Sequence, residues 1–133
     1  MLIGKKHFLT VGAMALAMAI AAPVAAQQKS VAITAIVEHP APDAVRDGVQ
    51  DALKQAGYES GKNLKWQYQS PQGNTGTAAQ IARKFVGDKP DAIVAIATPS
   101  AQAVVAATKD VPVVYSAVTD PVAAELVSSM DAS

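Results

Sequence analysis

Three short groups of residues have the types and spacing to act on a small charged molecule: Glu38-His39, Thr98-Pro99-Ser100-Ala101 and Thr119-Asp120. In the second group, hydroxyls and backbone N–H groups gather where an apolar run gives way to a helix. Thr98 suits the N-cap there, and Pro99 suits the first helical position, where a missing N–H costs nothing. The helix dipole favours a small anion at that point, so a carboxylate held by the hydroxyls and by the N–H groups of Ser100 and Ala101 is the expected chemistry. Asp120, directly before Pro121, supplies an acid that can receive an ammonium. Together the two groups offer the two poles of an amino acid. His39 can stack against or hydrogen-bond a ligand side chain, and Glu38 can act as a second ammonium partner. Each residue also has a plainer role: Thr98, Ser100 and Asp120 as helix caps, Glu38 and His39 as solvated loop residues.

Enzymatic chemistry finds little support. A hydrolase needs a nucleophile with an adjacent base, and the chain has no G-x-S-x-G elbow. Gly73-Asn74-Thr75-Gly76 lacks the lysine and the spacing of a phosphate loop, and it follows the second strand rather than the first. The chain has no cysteine, which excludes disulfides, thiolate metal sites and a cysteine nucleophile. His7 lies in the leader described below, so His39 is the one remaining imidazole and a multi-histidine metal site is not available. No cofactor and no bound metal are expected.

The elements that must position these residues follow from hydrophobic period. Val31 to Val37 is β-branched and apolar and predicts a first strand, halted by Pro40 and Pro42. From Pro42 to Ala56, Val45, Val49, Leu53 and Ala56 recur at helical spacing, and Gly57 ends that helix. Lys62 to Gln69 alternates, with Leu64, Trp66 and Tyr68 on one side, which predicts a half-exposed strand at a sheet edge. A loop from Ser70 to Gly76 leads to a second helix whose core stripe is Ala78, Ile81, Ala82, Phe85 and Val86, stopped by Gly87. Ala92 to Ala97 is continuously apolar, as a strand covered on both faces must be. A helix from Pro99 to about Thr108, a fourth strand from Val111 to Ser116 and a further helix from Pro121 complete the pattern.

This βαβαβαβα alternation predicts an α/β fold, a doubly wound parallel sheet with right-handed crossovers. The expected strand order is 2-1-3-4, which creates a crevice where the first two crossovers diverge. Four segments would then share the carboxyl edge of the sheet: Glu38-His39-Pro40, Ser70 to Thr75, Thr98-Pro99-Ser100 and Ser116 to Asp120.

Residues 1–26 read as a secretory signal peptide: Lys5-Lys6 precede an uncharged Ala-rich run that ends in Val24-Ala25-Ala26. The run from Phe8 to Ala22 is about 15 residues, short of the roughly 20 that span a bilayer. Residues 27–133 then form one modest domain. Without Lys5 and Lys6, nine basic residues stand against eleven acidic ones, and no basic stripe is present for a nucleic-acid backbone. With no cysteine for an acyl anchor, the expected location is the periplasm, with the protein free and monomeric.

The segments VAITAIVEHPAPDAVRDGVQDAL (31–53), GYESGKNLKWQYQSPQGN (57–74), KPDAIVAIATPSAQAVVAAT (89–108) and PVVYSAVTDPVAAELV (112–127) resemble the ABC-transporter substrate-binding proteins of the tryptophan/tyrosine-binding type, a branch of the periplasmic binding proteins. The ATPSAQA and SAVTDPV blocks carry most of its specificity. The resemblance implies two flavodoxin-like lobes that close on an amino acid or related solute for delivery to an ABC permease. It implies too that Glu38-His39, Thr98-Pro99-Ser100 and Thr119-Asp120 line the cleft. The sequence stops at Ser133, so residues 27–133 correspond to an N-terminal ligand-binding lobe, and a fragment of a longer chain is expected. An α/β enzyme domain acting on a small metabolite and an extracytoplasmic sensor lobe are the alternative readings.

Overall fold

The computed structural model describes residues 28–130. The expected signal peptide lies outside the described residues. The elements are β1 (Lys29–Ala35), α1 (Pro40–Gln55), β2 (Leu64–Gln69), α2 (Thr75–Gly87), β3 (Ala92–Ile96), α3 (Thr98–Ala107) and β4 (Val113–Ser116). All strand pairs are parallel and the order is β2-β1-β3-β4, as the alternation predicts. Among the described residues no helix is long and apolar enough to cross a membrane.

Period two divides β1 between two cores. Val31, Ile33 and Ala35 join Leu64, Val94 and Ile96 beneath Val45, Val49 and Leu53 of α1. Ala32 turns the other way and joins Ile93 and Ala95 beneath Ile81, Ala82 and Phe85 of α2 and Ala101 and Val104 of α3. A strand apolar at nearly every position is therefore one buried on both faces. The two faces are covered unequally. No residue of α1 is fully buried, whereas Ala82, Phe85, Ala101 and Val104 have no exposed surface. β2 takes the edge that its alternation predicted.

Element ends depart from the sequence reading in instructive ways. α1 begins at Pro40, two residues before the expected start at Pro42, because the first N–H groups of a helix have no intrahelical acceptor for proline to remove. The strand stops earlier, at Ala35. α2 begins at Thr75, earlier than its apolar stripe suggests, because Asn74 serves as N-cap: its Oδ1 accepts from Thr77 N at 2.8 Å. Asn74→Ala is expected to cost about 1 kcal/mol, read as a lower urea midpoint with an unchanged slope.

The expected fourth helix is absent; residues 121–126 form a single turn. Leu126 N donates to Pro121 O (2.9 Å) and Glu125 N to Val122 O (3.0 Å), with Glu125 left-handed at φ 57°. That pairing closes the turn as a helix C-terminus is closed, and it swings Leu126 back onto the α2–α3 core.

Candidate functional site

Parallel pairing sends the carboxyl ends of all four strands to one edge. The chain leaves β1 for α1 on one face and β3 for α3 on the other, although β1 and β3 are neighbours. The loops after them therefore diverge, which is the topological switch point where open α/β sheets receive ligands. Two main-chain hydrogen bonds stitch the edge together. Gly73 N donates to Ile36 O (2.7 Å), joining the loops after β2 and β1, and Ala97 N donates to Ser116 O (2.9 Å), joining β3 to the end of β4.

The start of α3 differs from the sequence expectation. The N-cap is Ala97, not Thr98, and no side chain caps the helix; Thr98 and Pro99 fall within its first turn. Ala97 has φ 75° and ψ 154°, a region that essentially only glycine populates. The expected N–H donor at Ala101 is already used, since Ala101 N donates to Ala97 O at 3.1 Å. Among the described residues no backbone carbonyl accepts from Thr98 N or Ser100 N, as the opening turn of a helix requires. Ser100 has no exposed surface and its Oγ has no hydrogen-bond partner, so its hydroxyl lies under the helix start and not on the surface facing a ligand. The reason is period: Ser100 shares its helix face with Ala101 and Val104, which pack on the sheet. Thr98 is half-buried and Pro99 exposed.

Asp120 is exposed and its Oδ1 accepts from Val122 N (3.1 Å) and Ala123 N (2.9 Å), capping the turn that follows. Thr119 beside it is exposed. His39 occupies the N-cap position of α1 through its backbone alone: its carbonyl accepts from Asp43 N (2.9 Å) while its imidazole makes no cap and remains exposed. Glu38, also exposed, accepts from Gln72 Nε2 through Oε2 at 2.9 Å. Trp66 and Tyr68 pack half-buried on the α1-side core, in the structural role their alternation suggested. A concavity of about 430 Å³ lies along the β2–α2 flank, lined by residues that include Gln69, Thr77 and Lys84, and not at residues 98–101 or 119–120. Among the described residues no group of three or more His, Cys, Asp or Glu is placed to hold a metal ion.

Sequence reasoning placed Gln72 and Asn74 in an edge loop and Ala97 at the end of the third strand, but it missed the contacts of the first two and the capping position of the last. Asn74 carried a readable signal, a capping residue three positions before the hydrogen-bonded Thr77 N–H. Ala97 carried none, because its backbone angles depend on the two neighbouring loops.

Residues 30–133 match the model of a family described as ABC transporter substrate binding protein. The chain is 49% identical over 105 residues to a tyrosine-binding protein of Clostridioides difficile (strain R20291), covering 79% of this chain and 30% of that protein. A solved structure of a conserved domain protein from Vibrio cholerae superposes with a TM-score of 0.77 at 57% identity, over 78% of this chain and 35% of that one. The ABC domain from Streptococcus pneumonia in complex with L-Trp superposes with a TM-score of 0.74 at 34% identity, again over 78% and 35%. The chain thus spans about a third of the length of these relatives.

Proposed function

Because the chain belongs to the family of ABC transporter substrate binding proteins, we propose that it receives an amino acid-like solute at the carboxyl edge of its sheet, for delivery to an ABC permease. The observation that carries this reading is the opening turn of α3. The unaccepted N–H group of the half-buried Thr98 stands at the switch point, one strand away from Asp120. Such an N–H group suits a carboxylate, and the second oxygen of Asp120 suits an ammonium while the first caps its own turn. Glu38 adds negative charge on the opposite side of the switch point, and His39 and Pro99 offer surface for the ligand side chain. Ser100 has no exposed surface, so its N–H is covered along with its hydroxyl, and the half-buried Thr98 supplies the accessible donor of this turn.

The similarity to proteins named for tyrosine and for bound L-Trp favours an aromatic side chain on the ligand. The protein works outside the cytoplasm, in the periplasm, as a monomer reached through a cleaved leader (residues 1–26), and it binds without turnover. The edge has no opposing wall among the described residues, so a solute held here remains open to water on one side and binding by this chain alone is weak.

The test is an NMR titration with L-tryptophan and, in parallel, with its decarboxylated amine. Saturable shifts of the Thr98, Ser100 and Asp120 amides are expected with the amino acid, and about tenfold weaker binding with the amine. Asp120→Asn, which keeps the capping oxygen and removes the charge, is expected to weaken binding about tenfold. No saturable shift at this edge with any of the twenty amino acids overturns the reading.

A further inference from the structure

The loop after β2 holds an arrangement that the binding reading does not use. Gln72 is a non-glycine residue in the left-handed region, at φ 50°, followed by Gly73 at φ 82°. A β-carbon at Gly73 would meet only Val37 Cγ1 at 3.8 Å, so the glycine answers a backbone demand and not a shortage of space. The same argument applies at position 72, where glycine would satisfy the backbone at less cost. The side chain there nonetheless has a partner far away in sequence: its amide reaches across to the Glu38 carboxylate at 2.9 Å. Around it the loop is tightly defined. Gln72 N donates to Ser70 Oγ (3.3 Å), Asn74 N to Pro71 O (3.0 Å) and Gly73 N to Ile36 O (2.7 Å), while Pro71 is buried.

We infer that Gln72 is a positioning residue for the ligand edge, holding the Glu38 carboxylate in one orientation so that its free oxygen faces the switch point; this rests on the binding reading above. Glu38 is otherwise a flexible, exposed side chain, and immobilising it on binding would weaken the complex. The Gln72 amide fixes Oε2 beforehand, and the Gly73–Ile36 bond keeps donor and acceptor loops in register. The amide is neutral, so it orders the carboxylate without neutralising the charge that an ammonium needs.

Gln72→Gly separates this role from loop structure, because glycine keeps the left-handed backbone and deletes only the amide. In the ligand-free chain, the side-chain coupling constants of Glu38 are expected to pass from one rotamer to averaged values, with the melting temperature unchanged or raised. Gln72→Glu is expected to disorder Glu38 as well, through like charge. With L-tryptophan as probe, Gln72→Gly is expected to weaken binding about threefold, and to have no effect when Glu38→Ala is already present. Unchanged Glu38 couplings in Gln72→Gly overturn the inference, as does an equal loss with and without Glu38. Should the unmodified chain bind none of the twenty amino acids, the binding reading fails, while the couplings still decide whether Gln72 holds Glu38.

Discussion

Phe85→Ala is expected to remove about 3–5 kcal/mol of folding stability, the cost of emptying a site whose walls cannot collapse. Phe85 has no exposed surface and is the largest fully buried side chain of the described residues. Its surroundings explain the size of the effect. The core on that side consists of Ala32, Ala82, Ala95 and Ala101 with Ile81, Ile93 and Val104, so small side chains set the spacing between the sheet and the α2–α3 pair. Alanines have no rotamers with which to fill a void, and the main chains of β1, β3 and α3 stand directly behind them. A domain of this size has roughly 5–15 kcal/mol in total, and α1, with no fully buried residue, contributes less than its length suggests. The variant is therefore expected to be largely unfolded at moderate urea, with far-ultraviolet dichroism as the readout. A loss below about 1 kcal/mol would mean that α2 does not seat Phe85 as described.

Substitutions at Ala97 are expected to move stability in opposite directions. Glycine there should raise it by about 1 kcal/mol and valine should lower it by about 2–3 kcal/mol. Helix-interior propensity, which ranks alanine above both, gives the wrong sign for glycine and too small a loss for valine. The cause is the backbone at φ 75° and ψ 154°, where a β-carbon is strained and a branched one more so. The conformation persists because both polar groups of Ala97 are engaged, its N–H with Ser116 O and its carbonyl with Ala101 N. Those bonds set the angle at which α3 leaves the sheet, and with it the direction of the Thr98 and Ser100 N–H groups. Paired urea curves on Ala97→Gly and Ala97→Val are the measurement. Equal destabilisation by both would show that Ala97 relaxes into an ordinary conformation.

The strands, the three helices and the 2-1-3-4 order were legible because each rests on a local period or on a rule of connection. The edge strand is Leu64–Gln69, two residues shorter at its start than the expected Lys62 to Gln69, and it alternates because Leu64, Trp66 and Tyr68 meet a core. Helix starts were less legible: a proline reads equally as a breaker before a helix or a tolerated residue within its first turn, and Pro40 proved to be the latter. The final helix failed for the same reason of locality. Asp120-Pro121 is a sound start signal, but the length of the turn was set by the left-handed Glu125 and by the pull of Leu126 toward the core.

By itself, then, the sequence determined the layered α/β class, the strand order and the edge to which Glu38, His39, Thr98 and Asp120 are brought. Each of those follows from patterns repeated over several residues. Tertiary structure alone decided which atoms at that edge are free: Ser100 Oγ buried, Ala101 N–H spent on Ala97 O, one oxygen of Asp120 capping a turn and Gln72 bonded to Glu38. Those outcomes depend on single backbone angles and single hydrogen bonds between segments distant in the chain. Such contacts leave no periodic trace in the residues that make them.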